Sequence, residues 1–86
     1  MKNRDILVER GYEEAIVFEG PDYDSAIIGV DACSDRVVYD FDLMVEFLMD
    51  TDSMTYEEAV EFIEYNTIRA CPYIGESAPV VLRRLD

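Results

Sequence analysis

Eighty-six residues carry twenty acidic side chains against seven basic ones, a formal charge of −13, yet half of the residues are apolar. That apolar share excludes a disordered acidic tail, the length allows one domain, and no apolar run reaches the ~18 residues that a membrane span needs. Histidine is absent, which removes the commonest general acid–base group and the commonest transition-metal ligand. The first residues lack the long apolar stretch of a signal peptide. The expectation is a cytoplasmic chain, with Cys33 and Cys71 as reduced thiols.

Residues 3–10 predict a short helix that Asn3 can cap, with Gly11 suited to the left-handed closing position. Residues 14–19, around Ala15-Ile16-Val17-Phe18, predict a strand, and Gly20-Pro21-Asp22 a turn. Residues 25–31 and 36–40 predict two further strands, joined as a hairpin through residues 31–35. Asp40 is a good N-cap for a helix over 41–49, where seven of nine residues are apolar and little of the surface can face water. The run Asp50-Thr51-Asp52-Ser53 breaks that helix. Thr55 and Glu58 then form a capping box, with Met54 as a staple against Ala59. Tyr56, Ala59, Val60, Ile63 and Thr67 make one apolar stripe at helical spacing, expected to be buried against the sheet. Glu57, Glu61 and Glu64 make a second stripe, with Glu58 beside it. Pro72 prevents the helix from continuing, Gly75-Glu76-Ser77 turns the chain, and residues 78–82 read as a last strand whose Pro79 marks an edge. The order predicts a single α+β domain over residues 1–86. Its small antiparallel sheet is a three-stranded meander plus an edge strand. Two helices of the C-terminal half pack on one face, and a short N-terminal helix completes the unit.

Charge is distributed as unevenly as it is abundant. Between Glu13 and Glu64 lie sixteen acidic residues and one basic one, Arg36, a local charge of −15. Soluble domains ordinarily intersperse both signs, and repulsion on this scale destabilises a compact chain. On the second long helix, Glu57 and Glu61 are an i,i+4 like-charge pair, and Glu61 stands i,i+3 from both Glu58 and Glu64. Together these cost roughly 1 kcal/mol, with no Lys to offset them. Four carboxylates over ~16 Å of helix come within a few-fold of the charge density of duplex DNA, and with Asp40, Asp42, Glu46, Asp50 and Asp52 from the preceding helix and its exit they can imitate a phosphate backbone. A solvated polar face is the alternative.

Three other constellations carry less. Asp50, Asp52 and Glu61 fall at positions one, three and twelve of a calcium loop, but Met54 and Thr55 occupy positions five and six, where a ligand and a glycine are required. Cys33 and Cys71 are nucleophile candidates without a histidine to activate them; Arg69 is near enough in sequence to lower the Cys71 thiol pKa. Asn66, Arg69 and Tyr73 combine amide, guanidinium and phenol after the helix, a mixture able to line a small-molecule site or simply to close the helix.

The segments SAIIGVD, RVVYDFDLMVEFLM, MTYEEAVEFIEYNTIRACPY and APVVL resemble a group of short, acidic hypothetical proteins of Firmicutes and their phages. No activity is attached to that group, so the resemblance carries over no functional residue. In size and charge the chain is also similar to acidic phage anti-defence inhibitors, among them anti-CRISPR proteins that occupy nucleic-acid channels.

Composition and resemblance together lead to a non-enzymatic protein that uses Asp50, Asp52, Glu57, Glu58, Glu61 and Glu64 against a basic protein surface, such as that of a nucleic-acid-binding effector. It would bind no nucleic acid directly, no membrane, no cofactor and no metal. The alternatives are a homodimeric regulatory module, prompted by the Val/Ile-rich strands, and a small-molecule binder that uses Asn66, Arg69 and Tyr73.

Overall fold

A computed structural model describes residues 2–85. The first helix, α1 (Asn3–Glu9), has Lys2 at its N-cap position, with Asn3 already inside it. Its leading N–H groups are satisfied from a distance. The Asp24 carboxylate accepts from the backbone N–H of Asn3 at 2.8 Å and of Arg4 at 3.0 Å, and a carboxylate is favourable at this end of a helix. The Asn3 amide reciprocates by donating to the carbonyls of Asp24 and Ile27. At the other end Gly11 adopts φ +91°. The Gly11 N–H donates to the Val8 carbonyl and the Tyr12 N–H to the Leu7 carbonyl, the two bonds of a Schellman closure.

The strand expected over residues 14–19 does not form. Residues 15–18 run as irregular backbone beside the core, and Phe18 shows why. Its N–H donates to the Tyr39 hydroxyl at 3.0 Å, and its carbonyl accepts from the Arg4 guanidinium at 3.3 Å. Side chains thus satisfy the two Phe18 backbone groups that a ladder would otherwise need. The Phe18 ring lies 4.7 Å from that of Tyr39 and meets Tyr23 edge-on.

The hairpin forms as expected. A 3-10 turn at Asp24–Ala26 leads into β1 (Ile27–Val30), which pairs antiparallel with β2 (Val37–Asp40). A bulge at Ile28 interrupts the register and leaves that side chain half-exposed. The tip is closed by Asp31, whose carboxylate accepts from the Cys33 N–H and the Ser34 hydroxyl. The third strand, β3 (Val80–Leu82), joins β2 in parallel, with Val38 opposite Val80 and Asp40 opposite Leu82. The sheet is therefore a mixed, three-stranded one in the order β1-β2-β3. It differs from the antiparallel meander with an edge strand in two ways: the strand over residues 14–19 is absent, and the edge strand β3 returns parallel to β2.

Helix α2 (Phe41–Thr51) starts where Asp40 predicts: the Asp40 carboxylate accepts from the Leu43 N–H at 3.1 Å. Helix α3 (Tyr56–Phe62) carries the expected capping box, with Thr55 and Glu58 exchanging side chain-to-backbone bonds of 2.9 and 3.2 Å. It passes into a π-helical turn at Ile63–Ile68, where the Arg69 N–H reaches back five residues to the Glu64 carbonyl. A short helix, α4 (Cys71–Ile74), follows with Pro72 in its first turn, a position where Pro's missing N–H costs nothing. Packing of α2 on β2 and on the 24–26 turn, and of α3 on α2, encloses one cluster of buried side chains. Tyr23, Tyr39, Met44, Leu48, Ile63 and Val37 are its largest fully buried members. The expected stripe on α3 is buried at Ala59, Ile63 and Thr67 and half-buried at Val60, but Tyr56 is 59% exposed. Met54, immediately before the cap, packs against the core in its place.

Candidate functional site

The acidic face is built by the way α3 begins. The capping box orients the first turn so that Ala59 and Ile63 point into the core, and the 3.6-residue period then sends Glu57, Glu58 and Glu61 to solvent. Asp52 is the C-cap of α2, and Ser53 turns the chain with φ +55°, which places exposed Asp50 and Asp52 at the connection that feeds α3. All six expected carboxylates, Asp50, Asp52, Glu57, Glu58, Glu61 and Glu64, are exposed. Glu58 is engaged by the Thr55 N–H. Among the described residues Asp50, Asp52, Glu57, Glu58 and Glu61 form no ion pair, whereas Glu64 lies 3.7 Å from the Arg83 guanidinium. A shallow cleft of about 310 Å³ runs along this face, lined by Met54, Glu58, Glu61, Phe62, Tyr65 and Asn66.

The structure brings two arginines onto the part of this surface made by Asp40 and Asp42, a contact that local sequence did not show. Asp40 and Asp42 at the start of α2 both meet Arg84, at 2.9 and 3.4 Å. Arg83 stacks over Phe41, 4.4 Å from its ring centroid, while reaching Glu64. The parallel pairing of β3 with β2 brings these arginines across more than forty positions of sequence. The one clue in the sequence was that Arg83 and Arg84 are its only adjacent pair of cations.

Asn66, Arg69 and Tyr73 are not gathered into one pocket. Asn66 donates to the Phe62 carbonyl and lines a cleft of about 560 Å³ with residues 15–21, Thr67, Ala70 and Ile74. The Arg69 guanidinium instead lies 5.6 Å from the Tyr65 ring centroid, and Tyr73 is 91% exposed; neither is among the residues that line that cleft. The candidate nucleophiles also separate. Cys33 is exposed on the hairpin tip and Cys71 is half-buried. Burial pushes the Cys71 thiol up from its ordinary value, so proximity to Arg69 in sequence does not activate it. Among the described residues no three His, Cys, Asp or Glu side chains converge as metal ligands, and α3 opens inside the would-be calcium loop at Tyr56.

A further hollow of about 570 Å³ lies between α1 and β1 and is lined by apolar residues with Asn3, Arg10 and Tyr12. No helix among the described residues is long and apolar enough to cross a membrane. Compared with protein-family models, with curated proteins and with solved structures, the chain finds no match in any of the three.

Proposed function

We propose that this chain is a non-enzymatic acidic binding protein that occupies a basic, nucleic-acid-binding surface of a partner protein, in the manner of a nucleic-acid mimic or anti-defence inhibitor. The observation that carries this reading is the group of five exposed, unpaired carboxylates on α3 and the α2–α3 connection among the described residues. Repulsion within that group opposes folding, and a basic surface would relieve it. Carboxylates presented this way steer association with a basic partner and compete with phosphates for its Lys and Arg. The test is a titration of the labelled protein with a basic nucleic-acid-binding domain at about 50 and 200 mM salt, with duplex DNA as competitor. Affinity is expected to fall steeply with salt, and DNA to displace the protein. The substitutions Glu57→Gln, Glu58→Gln and Glu61→Gln together should weaken binding while keeping the cap, because Gln also serves in a capping box. Affinity that is flat across the salt range, or unaffected by DNA, rejects the mimic.

A homodimeric module is supported by one observation, half-exposed Ile28 on edge strand β1. Against it stands the bulge at the same residue, a device that blunts edge-to-edge pairing. Light scattering that shows a monomer at high concentration removes that alternative.

A further inference from the structure

Arg83 and Arg84 grip consecutive residues at the start of α2. The Arg84 Nε lies 2.9 Å from Asp40 Oδ2 and its Nη2 3.4 Å from Asp42 Oδ2. The Arg83 guanidinium covers the Phe41 ring at 4.4 Å, with its Nη2 3.7 Å from Glu64 Oε1. Two carboxylates, a flat ring and a third carboxylate meet the features that distinguish a guanidinium from an ammonium: a fork of donors, a planar stacking face and weak hydration. Part of the receiving side is set into the fold beneath the arginines, since the Asp40 side chain is 5% exposed and Phe41 is buried, while the Asp42 and Glu64 side chains are 52% and 47% exposed. The Arg83 and Arg84 side chains remain 60% and 48% exposed. The two arginines thus cover a partly buried acidic and aromatic surface while staying open to solvent themselves.

We infer that Asp40, Phe41, Asp42 and Glu64 form an arginine-selective cradle in the acidic face. Arg83 and Arg84 are its occupants in cis and are displaced when an arginine-bearing segment of the basic partner binds. This inference rests on the acidic face being a cation-binding surface, and it names the side chain that surface recognises. Occupancy in cis lowers apparent affinity by the fraction of time the cradle is filled. The segment after β3 therefore acts as a brake, and only a partner that offers arginine in this geometry releases it.

The test measures binding of short oligo-arginine and oligo-lysine peptides of equal length by fluorescence anisotropy. The proteins compared are the unsubstituted chain, Arg83→Gln/Arg84→Gln, and a control of equal net charge, Lys2→Gln/Arg10→Gln. The first variant is expected to bind oligo-arginine about tenfold tighter than the unsubstituted chain, with a smaller gain for oligo-lysine, and the control to change less than about twofold. Arg83→Lys/Arg84→Lys keeps the net charge and removes the bidentate fork and the stacking plane. It should show an intermediate gain, and it carries the test if circular dichroism shows the glutamine variant unfolded. A control that gains as much as the glutamine variant overturns the cradle, since net charge alone then explains the effect. So do unchanged affinities across all variants when the unsubstituted chain does bind. Failure of the unsubstituted chain to bind either peptide at low salt overturns the acidic-face reading and the cradle with it.

Discussion

Tyr23 and Thr67 share one hydroxyl–hydroxyl bond inside the core: their oxygens lie 3.0 Å apart and both residues are buried. Tyr23→Phe strands the Thr67 hydroxyl, an expected cost of about 1–3 kcal/mol in urea unfolding. The double variant Tyr23→Phe/Thr67→Val should cost less than the two single changes summed, because no unpartnered group then remains. Burial also holds the phenols of Tyr23 and Tyr39 above their ordinary value of 10.0. In the unfolded chain these groups lose protons near that value while the native state still retains them. Stability is therefore fully present below about pH 10 and falls as pH climbs towards the raised native values; Tyr23→Phe should flatten that alkaline loss in melts run across the same range. Asp24 is the other residue of note, since it caps α1 from 21 positions away. Asp24→Ala removes acceptors from two helix N–H groups and should cost about 0.5–2 kcal/mol. No local pattern contained this bond. Asn3 looked like the cap because its type is right, and it ended up inside the helix because a distant carboxylate does the same job.

The elements divide by how local their causes are. The capping box of α3, the Asp40 cap of α2, the Gly11 closure and the hairpin were legible because each is set by residues a few positions apart. Tyr56 was misjudged because the stripe's period places it correctly but its position at the very start of α3 lies beyond the packed part. The segment 15–18 has a strand's composition and no strand to pair with. Its backbone partners, Tyr39 and Arg4, are side chains whose reach cannot be read from a run of apolar letters. The expectations for α3 follow from these contacts. Ile63→Ala should cost about 2–5 kcal/mol, since the residue is fully buried. Glu57→Gln/Glu61→Gln should leave the melting temperature unchanged or raise it, as like-charge repulsion is relieved. Glu64→Gln should not raise it, because that glutamate has Arg83 beside it, although an exposed pair contributes only about 0–1 kcal/mol. A large loss in the Glu57/Glu61 variant contradicts the exposed placement of those two side chains.

At the scale of the molecule, a net charge of −13 on so small a chain predicts that salt stabilises it. Raising ionic strength from a few millimolar to about 0.15 M screens the self-repulsion, so the melting temperature in differential scanning fluorimetry should rise. A fall would mean that the Arg84–Asp40–Asp42 contacts outweigh the rest. The charge itself, and hence the acidic face, was plain in the sequence. The contacts of Arg83 and Arg84 were not, because they depend on which strand lies beside β2. That same pairing predicts an order of assembly. Val38 and Val80 are neighbours in the sheet but 42 positions apart in the chain, and the loss of chain freedom in joining them must be met before their contact is rewarded. The hairpin and the capped helices can form from near neighbours, so β3 is expected to dock after them and to be released before them. Amide hydrogen exchange should find Val81 and Leu82 opening before Val37 and Tyr39. The segment that bears Arg83 and Arg84 would then be the first part of the molecule to come free.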